Sequence, residues 1–156
     1  TFRVMLPAAQ AEESAPVAGA PPATAAAAAL RGRVLLVEDE SMVGDFMAEM
    51  MGGWGLDVVL RRDPLAAVAW LDDPANALDL LITDQTMPRM TGLALAEHAR
   101  HARPGLPVLL YTGNADPLDP VEVARRGVRA VLRKPIDAEA LRAAVRSAVE
   151  GARADR

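Results

Sequence analysis

Residues 78–84 read Leu78-Asp79-Leu80-Leu81-Ile82-Thr83-Asp84, an apolar run that closes on a hydroxyl and a carboxylate. A run apolar at consecutive positions reads as a strand buried on both faces, and such strands belong to parallel sheets covered by helices. Upstream, Val34-Leu35-Leu36-Val37 repeats the pattern and ends in Glu38-Asp39-Glu40. Downstream, Val108-Leu109-Leu110-Tyr111 ends in Thr112-Gly113. Weaker strands are read at Leu56 to Leu60 and at Arg129 to Leu132, the second followed by Arg133-Lys134-Pro135.

Between these runs lie helical segments with recognisable ends. Asp63-Pro64 and Asp119-Pro120 each set an N-capping acid before a first-turn proline. Gly127 and Gly151 fall where C-terminal glycines belong. Asp137 to Glu150 carries Leu141, Ala144, Val145 and Ala148 on one helical face. Met42, Met47, Met50 and Met51 read as a core stripe, and Trp54 and Trp70 as covers of the core edges. Strand followed by helix, five times over residues 33–151, specifies an α/β class: a doubly wound, five-stranded parallel sheet with right-handed crossovers and helices on both faces.

The chain has 156 residues, room for one compact domain with flanking segments. Seventeen basic residues against 21 acidic ones give a net charge of −4, the wrong balance for a protein that tracks phosphate backbones, so no nucleic-acid partner is expected. Cysteine is absent, which excludes disulfides, thiolate catalysis and zinc–sulfur sites and fits a cytoplasmic setting. No apolar run reaches the ~18–20 residues that cross a bilayer. Direct membrane contact by this chain is therefore not expected, while a membrane anchor elsewhere in a parent chain stays open. Residues 1–6 look like a strand remnant of a preceding domain, and residues 7–31, rich in Ala and Pro without apolar periodicity, like a linker. Residues 32–151 make the folded domain and 152–156 a polar tail.

In an open parallel sheet, ligands bind at the carboxyl ends of the strands. Those ends carry Glu38, Asp39 and Glu40, then Thr83 and Asp84, then Thr112, then Lys134. Carboxylates brought together repel unless a cation sits among them. A small set of hard oxygen ligands suits Mg²⁺, which keeps waters and accepts a phosphate oxygen. Lys134 is the sole lysine in a chain that otherwise uses Arg for positive charge. A compact ammonium is not equivalent to a planar guanidinium in a tight site.

Four segments, in order and at the right strand ends, give a specific resemblance: Val-Glu-Asp-Glu (37–40), Thr-Asp-Gln-Thr-Met-Pro-Arg-Met-Thr-Gly (83–92), Tyr-Thr-Gly (111–113) and Arg-Lys-Pro (133–135). Residues 33–150 resemble the receiver domain of two-component response regulators. The resemblance implies a flavodoxin-like sheet of order 2-1-3-4-5. It implies that Asp84 is the phosphoacceptor, attacking a phosphohistidine in line. Asp39 and Asp84 would ligate Mg²⁺, with Glu38 acting directly or through water and the Thr86 carbonyl completing the site. Lys134 would neutralise the transferring phosphoryl group, Thr112 would donate its hydroxyl to it, and Pro135 would follow a cis peptide bond. The implied partner is a histidine kinase or a histidine phosphotransfer domain, with the domain itself a monomer or weak homodimer.

The family often carries an aromatic residue three positions before the lysine, coupled to the threonine. Here that position is Val131, which implies weaker coupling between phosphorylation and the face formed by helix 4, strand 5 and helix 5. Thr86 and Asn114 occupy positions that tune phosphoryl lifetime. Glu40 reads as a solvated helix-start charge, and His98 and His101 as surface residues lacking a third ligand. Thr-Phe-Arg-Val-Met-Leu-Pro (1–7) resembles the last strand of a histidine-kinase ATP-binding domain. With the linker, it implies the C-terminal receiver of a hybrid histidine kinase; the receiver itself is a signalling phosphoacceptor and its parent chain a kinase. The alternatives are a pseudo-receiver acting as a phosphorylation-independent interaction module, and an aspartyl-nucleophile hydrolase, which would want Asp-x-Asp after the first strand.

Overall fold

The computed structural model describes residues 28–113 and 117–154. The strand remnant at 1–6, most of the linker, Asn114 and the last two tail residues lie outside them. Ten elements alternate along the chain: β1 (Arg33–Val37), α1 (Ser41–Gly53), β2 (Asp57–Arg61), α2 (Pro64–Asp72), β3 (Leu80–Asp84), α3 (Gly92–Ala102), β4 (Val108–Thr112), α4 (Pro120–Arg125), β5 (Val128–Arg133) and α5 (Ala138–Ala154). The sheet is wholly parallel and its order is β2-β1-β3-β4-β5, as expected.

Alternate side chains of a strand leave opposite faces of the sheet, and the two halves of the core follow from that rule. Leu35, Val37, Leu81 and Leu110 pack with Ala67 and Leu71 of α2 and with Leu95, Ala96 and Ala99 of α3. Val34, Leu36, Leu80, Ile82, Leu109 and Tyr111 pack on the other side with Met47 and Met51 of α1 and with Leu141, Val145 and Ala148 of α5. Asp63 and Asp119 cap α2 and α4 by accepting from the Leu65 and Val121 amides, each ahead of its proline. Trp54 and Trp70 pack half-buried against the two clusters.

Four sequence expectations are corrected. Gly151 does not end a helix: α5 runs on to Ala154, because Ala152 still reaches the core. The glycine instead leaves space for Arg129, whose Nη2 would lie 2.6 Å from a Cβ at this position. Leu30, assigned to the linker, is buried and its amide donates to the Trp54 carbonyl. Met42 is 83% exposed and Met50 half-buried. The inward stripe of α1 consists of Met47 and Met51, with half-buried Met50 packed against the same core, while Met42 and Phe46, one turn apart, face outward. β3 begins at Leu80 and not Leu78, since the Asp79 carboxylate takes the Arg33 amide and anchors the strand's entry. Among the described residues, no helix is long and apolar enough to cross a membrane.

Candidate functional site

The exits of four strands, β1, β3, β4 and β5, meet at one sheet edge. In the parallel register Val37 stands beside Thr83, and Asp84 beside Tyr111, so Glu38 at the exit of β1 comes next to Asp84 at the end of β3. The Gln85 amide donates to the Tyr111 carbonyl and the Lys134 amide to the Thr112 carbonyl, which carries the pairing one residue past the strands. Lys134 precedes a cis peptide bond to Pro135.

Oxygens of Glu38, Asp39 and Asp84 all lie within 4.8 Å of one another. Glu38 and Asp84 are buried, at 1% and 4% exposure, while Asp39 faces solvent. Lys134 Nζ lies 3.1 Å from Asp84 Oδ1 and 3.9 Å from Glu38 Oε2. Glu38 is held at both oxygens: Oε1 accepts the Glu40 amide at 2.9 Å, and Oε2 accepts the Tyr111 hydroxyl. The ammonium of Lys134 sits 5.0 Å from the centroid of the Tyr111 ring. An open cleft of about 380 Å³ runs over the cluster, with Thr86, Gly113 and Glu40 on its walls.

Burial raises the pKa of both Asp84 and Glu38 above the ordinary carboxylate value. Lys134 offsets the effect at Asp84, and the Tyr111 hydroxyl chiefly offsets it at Glu38. Burial and then the Glu38 carboxylate push the Tyr111 phenol far upward, so it stays a proton donor. Two buried carboxylates, one exposed carboxylate and an ammonium together offer a place for a divalent cation and for a group that brings negative charge.

The family model described as response regulator receiver domain matches residues 34–146. The chain belongs to the response regulator receiver family. Receivers are domains of two-component signal-transduction response regulators. Among curated relatives, the receiver is 32% identical over 113 residues to the uncharacterized transcriptional regulatory protein YrkP of Bacillus subtilis, covering 72% of this chain and 47% of that protein. It is 35% identical over 104 residues to the Regulator of RpoS of Escherichia coli, covering 67% of this chain and 30% of that protein. The chain thus spans less than half the length of these relatives. A receiver domain protein from Clostridium thermocellum superposes with a TM-score of 0.75 at 22% identity, over 80% of this chain and 98% of that one, a likeness of fold. NtrX from Brucella abortus superposes at 0.73 with 26% identity, over 81% of this chain and 29% of that one.

The receiver fold brings Glu38, Asp39, Asp84, Thr86 and Lys134 around the cleft. Thr112 ends β4 beside it, fully buried, with its hydroxyl donating to the Gly113 carbonyl at 3.2 Å. Glu40 is exposed, precedes α1 and makes no side-chain cap. His98 pairs with Asp72 at 2.7 Å on the surface, and His101 lies beside Arg100.

Two residues of the site escaped the sequence reading. Tyr111 lies in the Tyr-Thr-Gly segment (111–113), but the sequence assigns it no role of its own. The signal was available, because a phenol inside a strand buried on both faces must find a partner for its hydroxyl. Gly92, at the start of α3, sits against the backbone of Asp84: a Cβ there would meet the Asp84 carbonyl oxygen at 2.2 Å. Its own amide donates to the Gln85 carbonyl at 3.0 Å. No local pattern shows that closeness.

Proposed function

We propose that this receiver accepts a phosphoryl group from phosphohistidine onto Asp84 in a Mg²⁺-dependent reaction. The observation that carries the proposal is the Asp84 carboxylate itself, buried at a sheet edge, 3.1 Å from Lys134 and within reach of two further carboxylates. The oxygen-only donor set fits a hard divalent cation, to be held by Asp39 and Asp84, by Glu38 directly or through water, and by the Thr86 carbonyl. Bound there, Mg²⁺ supplies neutralising charge for crowded carboxylates and phosphoryl oxygens.

The chain's own groups perform the rest. An Asp84 oxygen lone pair forms the new P–O bond as the P–N bond breaks, and its electrons leave with the donor imidazole, which takes up a proton. Lys134 balances charge on the equatorial oxygens. The Thr112 hydroxyl turns from the Gly113 carbonyl toward a phosphoryl oxygen. The partner is a histidine kinase or histidine phosphotransfer domain, and the receiver works as a monomer or weak homodimer. The roles in transcription that some relatives' names carry belong to those longer proteins.

Incubation with Mg²⁺ and acetyl phosphate, read by intact mass, tests the proposal. One added phosphoryl group, dependent on Mg²⁺ and lost in Asp84→Asn, is expected. If neither acetyl phosphate nor a phosphohistidine donor adds mass, the chain acts as a phosphorylation-independent interaction module. The hybrid-kinase setting rests on residues 1–7 and the linker alone. Labelling the full parent chain with radioactive ATP tests it: labelled histidine is expected, and no label overturns it.

A further inference from the structure

Tyr111 fills space in the core beside Leu109, and for that a Phe would serve. Its hydroxyl does something a Phe could not. A buried phenol can satisfy itself on any nearby carbonyl, yet here it donates to Oε2 of Glu38, the buried acid of the cleft, 73 positions away in sequence. The other Glu38 oxygen is taken by the Glu40 amide. Glu has one more rotatable bond than Asp, so a Glu that must present an oxygen to a cation needs fixing at both ends of its carboxylate. Each oxygen keeps a second lone pair for the cleft. The ring of the same tyrosine faces the Lys134 ammonium, and its carbonyl accepts the Gln85 amide next to Asp84. One side chain and its backbone therefore touch the exits of β1, β3 and β5.

We propose that Tyr111 is a positioning residue for the divalent-cation site, its hydroxyl fixing the Glu38 carboxylate and its ring seating Lys134. This rests on the reading of Glu38, Asp39 and Asp84 as a cation site. Hydrogen-bond donors behind a metal ligand set its orientation, and their loss costs about 10–100-fold in metal affinity.

The test is calorimetric titration with MgCl₂ of the wild type, Tyr111→Phe, Glu38→Ala and the double variant, each checked for folding by thermal unfolding. Tyr111→Phe is expected to weaken Mg²⁺ about tenfold. In the Glu38→Ala background the same change is expected to matter less than about twofold, because the hydroxyl acts through Glu38. An unchanged or tighter Kd in folded Tyr111→Phe overturns the proposal, as does a tenfold loss that persists without Glu38.

Tyr111 is the chain's one tyrosine, so biosynthetic 3-fluorotyrosine labels this site alone and needs no variant to fold. Its single fluorine resonance is expected to move with MgCl₂ along the calorimetric binding curve. A stationary line while the protein binds Mg²⁺ overturns the positioning role and leaves the cation site standing. A wild type that binds no Mg²⁺ overturns both.

Discussion

Lys134 Nζ lies 3.1 Å from Asp84 Oδ1, joining the exits of β5 and β3, two strands that β4 separates. The pair exists because the sheet order sets these exits two strands apart and a lysine is long enough to cross between them. Removing the ammonium leaves buried Asp84 and Glu38 without their cation. Lys134→Ala is expected to cost on the order of 2 kcal/mol in the metal-free protein. It is also expected to slow phosphoryl transfer by roughly 100-fold. Chemical denaturation and acetyl phosphate kinetics read the two effects separately. Lys134→Arg restores charge but not the compact geometry and is expected to recover stability better than rate.

The raised pKa values of Asp84 and Glu38 make metal-free stability depend on pH. The folded state holds these protons to higher pH than the unfolded chain does. Their contribution to stability is full below the ordinary carboxylate values and is lost as pH rises through the raised ones. In EDTA, Asp84→Asn is thus expected to be more stable than wild type at pH 8, with the gap narrowing toward pH 5. Urea denaturation at both values checks this, and a gap independent of pH would contradict it.

Gly92 is a steric requirement of the site. A Cβ at this position would lie 2.2 Å from the Asp84 carbonyl oxygen and 2.5 Å from Leu110 Cδ1. Gly92→Ala must push α3 away from β3, at a cost of about 2–3 kcal/mol. Guanidinium unfolding measures the loss, and wild-type stability in the variant would show that α3 can shift freely.

An apolar groove of about 550 Å³ adjoins the acidic cleft and shares Glu40 and Lys134 with it. Met42 and Phe46 of α1, 83% and 66% exposed, form its outer wall. A protein donor bringing phosphohistidine to Asp84 is expected to cover this groove, whereas acetyl phosphate need not. Phe46→Ser is expected to slow transfer from a phosphohistidine protein about tenfold while leaving acetyl phosphate unaffected. Equal effects on both donors would place Phe46 in folding and not in docking.

Val131 stands on β5 where an aromatic residue is common in the family, and it is 36% exposed. Without a large ring to move between buried and exposed positions, a phosphorylated Asp84 is expected to transmit less toward α4, β5 and α5. Amide exchange across these elements, compared with and without beryllofluoride, is expected to change little. Large protection changes would reveal another route, with Tyr111 beside Thr112 the first place to look.

The sequence by itself determined what local period and local chemistry encode. Consecutive apolar residues marked β1, β3 and β4 as buried strands, and Asp-Pro pairs marked the starts of α2 and α4. The rule that parallel sheets bind at strand exits collects Glu38, Asp39, Asp84 and Lys134 from the sequence alone. Local signals failed where their meaning depends on a neighbour from elsewhere in the chain. Gly151 signals a helix end only if nothing beyond it packs, and Ala152 does. Met42 belongs to the core only if the sheet lies on its side of α1, and it does not. Leu30 looked like linker until Trp54 gave its amide an acceptor. The bond from Tyr111 to Glu38, the ion pair from Lys134 to Asp84 and the approach of Gly92 to Asp84 were decided by tertiary structure alone. Each depends on the relative register of strands and helices distant in sequence, and that register is fixed only when both faces of the sheet are packed.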